Sequence, residues 1–369
     1  MSKWKMVRLG EVLDYEQPTK YIVESTDYND CYCTPVLTAG QTFILGYTDE
    51  SDNVFKDNLP VIIFDDFTTA IKYVNFPFKV KSSAMKILKA KKEIAHIKYL
   101  FYCMSIIKVD TQLHKRYWIS KYTNIEIPLP PIEEQKRIAD ILDKASSLID
   151  LRKQQLEKMD LLIKSKFIDM FGEPVTNPKG WEVKKIENVI KNIRYGTSIP
   201  PVFSYSGFMF IRATNIKKGK ITKYDMKYIS AQEAIKIDKC KVYGGELLIV
   251  RSGVNTGDTC VITKDYEKQY AGYDLIVEMD KTFINSIFIN ELLNTRYMEV
   301  FIKPLTRRAA QPHINSDQIK SLQIMVPPIE LQNDFASFVE QVEKQKTVMQ
   351  LSLEKMEMNY NALMQEYFG

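Results

Sequence analysis

The side chains able to carry chemistry fall into two groups, and their surroundings treat them differently. Lys115-Arg116-Tyr117-Trp118 sets two cations beside two aromatics, a pattern that holds phosphates and stacks on sugars or bases. The same run fits a surface loop anchored by one tryptophan, and both readings stand on these residues alone. The second group would be catalytic. Asp65 and Asp66 have no third carboxylate or histidine at motif spacing and read as a strand-end turn. Gly253 and Gly257 in SGVNTGDT lack the Gly-Lys-Ser/Thr ending of a phosphate loop and read as a tight hairpin. Asn177-Pro178-Lys179-Gly180 is not the Asn/Asp-Pro-Pro-aromatic loop of an amino-methyltransferase and reads as a turn. Asp225-Met226-Lys227 lacks the Pro-Asp that completes a nuclease motif, and Cys31 and Cys33 lack a second ligand pair for zinc.

These residues must be positioned by a scaffold, and two stretches supply it. After PPIEEQ at Pro130 the chain runs to Gly172 without proline or internal glycine, with apolar residues at alternating spacings of three and four. Leu142, Ile149, Leu156, Ile163 and Met170 form one set of heptad positions, and Ile138, Ala145, Arg152, Met159 and Lys166 the other. Such a helix is roughly 60 Å long at 1.5 Å per residue, and its seam needs a partner. An offset of 197 residues maps it without gaps onto PPIELQ at Pro327 and the chain end, where the seam is Phe335, Val339, Val342, Lys346, Met349, Leu353, Met356, Tyr360, Leu363 and Tyr367. Trp181 to Ile190 likewise matches Trp4 to Leu13, so the duplication reaches the starts of the segments before the helices. The pattern predicts an α+β protein. Two globular mixed α/β domains are joined by two long helices packed as an antiparallel coiled coil, with an internal pseudo-two-fold repeat. The segments are 1–129 and 173–326 for the domains, and 130–172 and 327–369 for the helices. Apolar runs between Tyr32 and Val80 read as strands, and residues 84–108 as helical.

The 369 residues, 45% of them apolar, provide two cores. Five cysteines, odd in number and mostly isolated, read as reduced thiols. The N-terminus carries no apolar signal core and no run is long enough to span a membrane, which predicts a soluble intracellular protein. The net charge of +5 is uneven: cations exceed acids in the globular segments, while acids exceed cations in the helices. That distribution suits domains facing a polyanion.

AAQPHIN followed by a strand and a PPIE helix, PLPPIEEQKRIA, and the junction FGEPVTNPKGW together resemble the specificity subunit of a type I restriction-modification system over essentially the whole chain. The resemblance implies a DNA-binding protein without catalysis of its own, in which each target-recognition domain reads one half of an asymmetric bipartite duplex target. The helices would set the spacer and dock two adenine-methyltransferase subunits. Translocating restriction subunits would join them, and S-adenosylmethionine, ATP and Mg would sit on those partners. The candidate contacts are loop residues, each able to meet a base edge, a phosphate or a hydrogen bond within its own domain: Lys72, His114, Lys115, Arg116 and Tyr117 in the first domain. In the second they are Arg194, Tyr195, Thr197, Arg212, Asn215, Arg251, Asn255, Arg307, Arg308, Gln311 and His313. The first domain lacks the Arg212 to Asn215 and Arg251 to Gly253 features, so the half-sites should differ. A basic two-domain scaffold for protein or RNA is the rival reading. Replacing Arg307 and Arg308 together is expected to weaken DNA binding by the assembled complex; unchanged binding with an unchanged salt slope would remove both from the list.

Overall fold

A computed structural model describes residues 4–38, 42–108, 117–306 and 312–369. The chain divides into two units, Met1–Lys153 with Leu351–Gly369, and Gln154–Gln350. Two forty-residue helices, Ile132–Phe171 and Ile329–Phe368, each contribute one part to either unit.

In the first unit, strand Lys5–Arg8 pairs antiparallel with Glu126–Leu129, the strand that leads into the first long helix. A four-stranded sheet follows in the order Leu13–Glu16, Met85–Ala90, Val61–Asp65, Ile71–Val74. Alternate residues of its central strand face opposite cores. Ile62 and Phe64 pack with helix Ile97–Ser105 and with Ile138, Ala139, Leu142 and Met364 of the long helices. Val61 and Ile63 pack with Leu37, Phe55, Phe78 and Val80 beneath a smaller sheet. A strand buried on both faces has no polar side to show. This is why Met85–Ala90 departs from the helical reading of residues 84–108: its run Met-Lys-Ile-Leu is buried throughout, and Lys86 is matched by the equally buried Asp66 at 3.5 Å. The helix itself is confined to Ile97–Ser105.

The second unit repeats this plan. Val183–Lys185 pairs with Gln323–Met325, and the main sheet runs Ile190–Tyr195, Leu275–Met279, Leu247–Ile249, Thr259–Val261. The order is the one found in the first unit. Even the register agrees, with Met6 opposite Pro128 and Val183 opposite Met325. One face of the sheet meets helix Ser286–Leu293 and the long helices through Phe288, Phe167, Phe171 and Phe335, whose rings lie 4.7–5.6 Å apart.

Within each unit the long helices run antiparallel. Lys153 bonds Glu357 at 2.8 Å in the first unit. In the second, Asp160 meets Lys346 at 2.5 Å, while Phe167 and Phe171 meet Phe335. Of the seam residues, Leu142, Ile149, Ile163, Val342 and Leu353 are buried, and Leu156, Met159, Met349, Met356 and Tyr360 are half-buried. Charges join the helices both beside the seam and within it. Lys153 reaches across to Glu357 from a flanking position, whereas Lys346, a seam residue, meets the flanking Asp160; Lys166 bonds Asp169 one turn along its own helix, and among the described residues Arg152 has no ion pair.

Each helix start is fixed to its domain by one buried glutamine. Gln135 Nε2 donates to the carbonyls of Pro130 (2.8 Å) and Ile94 (3.0 Å), and Oε1 accepts from His96 N at 2.8 Å. Gln332 repeats all three bonds, to Pro327 (2.7 Å), Phe283 (3.1 Å) and Asn285 N (2.9 Å). His96 and Asn285 are the N-cap residues of the two domain helices, so one amide ties each domain helix to its long helix. The end of the first long helix is closed by the junction motif. Gly172 takes a φ of +81°, where a Cβ would meet Pro178 at 2.8 Å, while Trp181 Nε1 and Lys179 Nζ donate to the last carbonyls, of Phe171 (2.9 Å), Asp169 (2.6 Å) and Met170 (3.0 Å). Truncating Gln332 to Ala strands three backbone groups, one buried and two partly buried, and should cost about 2–4 kcal/mol in urea unfolding of the full chain, with Gln135→Ala behaving alike. A loss under about 1 kcal/mol in both would show that the clamp is not what holds the domains.

Candidate nucleic-acid interface

The candidate contacts of the second unit separate into those that build loops and those that face outward. Arg194 grips the carboxylate of Glu246 through both terminal nitrogens (2.5 and 2.9 Å) and donates to Lys241 O at 2.8 Å. Arg212 donates to Asp225 O (2.5 Å) and Oδ2 (2.9 Å). Asn215 is fully buried: its Oδ1 accepts from Arg212 N and its Nδ2 donates to the carbonyls of Thr222 and Tyr224. Asn255 Nδ2 donates to Ala213 O at 3.3 Å, and Thr197 Oγ1 to Ile199 O at 2.8 Å. Asn215 is therefore corrected from a DNA contact to a turn builder, since no atom of it reaches the surface. Tyr117 in the first unit is corrected for the same reason, being buried with Trp118, whose backbone N–H donates to Asp66 Oδ1 at 2.8 Å. Asp65 accepts from Phe67 N and Thr68 N, which is the turn expected of it. Lys72 is exposed, with Nζ 5.8 Å from the Phe43 ring. His114, Lys115, Arg116, Arg307, Arg308 and Gln311 lie outside the described residues.

Arg251, Tyr195 and His313 come together. Arg251 sits two residues beyond strand Leu247–Ile249, and its guanidinium carbon lies 4.6 Å from the Tyr195 ring centre and 4.4 Å from that of Tyr273. Its Nε donates to His313 Nε2 at 3.0 Å, and Ile314 N donates to Arg251 O at 2.9 Å, which holds the histidine alongside. The two tyrosines flank the arginine because their backbones nearly touch. A Cβ on Gly196 would fall 1.6 Å from Gly272 O, so only glycine admits this approach, and Gly196 N bonds Asp274 O at 2.9 Å. Tyr195 is steadied by Ser316, to which its hydroxyl donates at 2.9 Å. Tyr273 had no signal in the sequence: it lies in a loop, and no spacing rule links it to Arg251. A cleft of about 810 Å³ opens beside the cluster, lined among others by Thr197, Lys236, Lys239 and Arg251.

Asp274 lies beneath. Its Oδ1 accepts from Arg251 N at 3.3 Å, and among the described residues its buried Oδ2 has no partner. Burial pushes this carboxyl from 3.8 up to about 7. The folded-state value lies above that of an unfolded aspartate, so the protonated acid stabilises the fold fully in acid, and the contribution is lost as pH rises through about 7.

Among the described residues no three His, Cys, Asp or Glu side chains group as a metal site, and no helix is long and apolar enough to cross a membrane. What remains is a duplicated sheet-and-helix unit whose outward loops differ between copies. Residues 1–160 and 178–357 match the family described as type I restriction modification DNA specificity domain. The chain is 45% identical over 165 residues to the type I restriction enzyme EcoR124I/EcoR124II specificity subunit of Escherichia coli, a match covering 40% of this chain and 41% of that relative. Similarity to the MjaVIII specificity subunit of Methanocaldococcus jannaschii is 23% over 373 residues, covering 92% and 86% of the two chains. In fold it is similar to the type I restriction-modification S subunit from M. genitalium, with TM-score 0.69 and 13% identity over 100% of this chain and 96% of that one. The chain belongs to the type I restriction-modification DNA specificity family. Asp274→Asn should follow the wild type in acid and become the more stable of the two as pH rises, by ~2–4 kcal/mol at about pH 8 in denaturant titrations. A gap that does not change with pH would place the shift elsewhere.

Proposed function

We propose that this chain is the non-catalytic reader of a type I restriction-modification complex in the cytoplasm. The globular segments 1–129 and 173–326 each read one half of an asymmetric bipartite duplex sequence, and the helices set the distance between the halves. The observation that carries this reading is the duplication itself. Strand order, strand register and glutamine clamp repeat in both units, whereas the loop residues at the outward ends do not. A frame that repeats holds each reader in the same way on its helix, and loops that differ read different bases. Arg307 and Arg308 with Lys115 and Arg116 would supply the salt-dependent phosphate attraction.

The helices also carry apolar side chains that no described part of the chain covers. Leu148, Leu151, Leu351 and Met358 of the first unit and Leu161 and Val348 of the second are each more than half exposed. Exposed leucines on a helix whose seam is already filled support a second interface, and two methyltransferase subunits are its proposed occupants. Those subunits bind S-adenosylmethionine and methylate adenine, and restriction subunits with ATP and Mg complete the assembly. Inserting seven residues after both Leu156 and Leu353 tests the ruler. The expected product methylates the same two half-sites with a longer spacer, mapped by sequencing N6-methyladenine; a change in either half-site would contradict it.

A further inference from the structure

Resting on the reading just given, we propose that Arg251 is the residue that reads a guanine in the half-site of the second domain, and that Tyr195, Tyr273 and His313 are its positioning residues. Arginine is favoured wherever a planar, two-donor edge meets two acceptors, and guanine offers O6 and N7 side by side in the major groove. Its weakness is the freedom of a long side chain, which must be frozen on binding.

That freedom is already removed here. The guanidinium carbon lies over the rings of both Tyr195 and Tyr273, 4.6 and 4.4 Å from their centres. The inner nitrogen Nε is taken by His313 at 3.0 Å. The backbone is fixed on both sides, with Arg251 N bonded to Asp274 Oδ1 and its carbonyl to Ile314 N. Among the described residues no hydrogen bond engages Nη1 or Nη2, so the edge left over is the edge guanine needs. The clamp stands at the surface, since Tyr195 is 38% and Tyr273 41% exposed. Arg194 makes the contrast: it spends both terminal nitrogens on the Glu246 carboxylate and is not free to read. A phosphate, with acceptors on several sides, can be met from many orientations, whereas the two acceptors of one base edge fix the plane in which the guanidinium must lie.

The experiment is selection from a duplex DNA library, randomised across both half-sites, by the full chain assembled with its methyltransferase partner. The wild type is expected to select a guanine at one position of the second half-site that Arg251→Gln and Arg251→Lys no longer select, with roughly tenfold to hundredfold loss of discrimination there. Every other position and the whole first half-site are expected to stay as they were, which also reports that the variants fold. Tyr273→Leu should select the same guanine less sharply. Uniform weakening for all sequences would make Arg251 a phosphate contact and overturn the assignment, as would an unaltered selection. Selection of no bipartite sequence by the wild type would overturn the underlying reading together with it.

Discussion

A forty-residue helix with an apolar stripe cannot stand alone in water, and much of this molecule follows from that constraint. Neither globular core is closed without helix residues. In the first unit Ile138, Ala139, Leu142 and Met364 complete the layer begun by Ile62, Phe64 and Leu88. In the second, Ile163, Phe167, Phe171 and Phe335 do the same for Leu247, Ile249 and Leu275. Each unit draws on both helices for its interior, so separating the helices would open both cores. Seam and domain are thus one packing problem, solved twice.

Packing alone would let a domain slide along its helix, and the buried glutamines prevent this. Hydrophobic contact is non-directional, but an amide with two donors and an acceptor committed to three backbone groups has one solution. Gln135 and Gln332 reach that solution with corresponding partners, which fixes each domain helix on the first turn of its long helix. With the frame fixed, the copies differ outside it, where the first unit has a three-stranded sheet and the second a four-stranded and a two-stranded one, and in the loops at the sheet ends. There, Gly196 and Gly272 allow two backbones close enough for two tyrosines to trap an arginine.

The helices and their duplication were legible because heptad spacing and gap-free identity at one offset are properties of letters alone. So was the clamp motif, though not its meaning: the partners His96 and Asn285 lie 39 and 47 residues upstream in stretches that share no letters. The shared strand order of the two sheets was hidden for the same reason. Met85–Ala90 misled because a strand buried on both faces has lost the alternation that marks strands. Among the site residues, type and loop position were readable but commitment was not. Arg194 and Arg251 look alike in sequence, yet one faces Glu246 and the other two tyrosine rings, and only folding decides what stands opposite a cation.

The central claim is that two unlike readers act at a fixed separation. Mapping N6-methyladenine across the genome of a host that expresses this chain with its methyltransferase tests it most directly. The account predicts a single asymmetric motif of two different half-sites parted by an unread spacer of constant length. A continuous motif, two identical halves, a variable spacer, or no motif at all would contradict it.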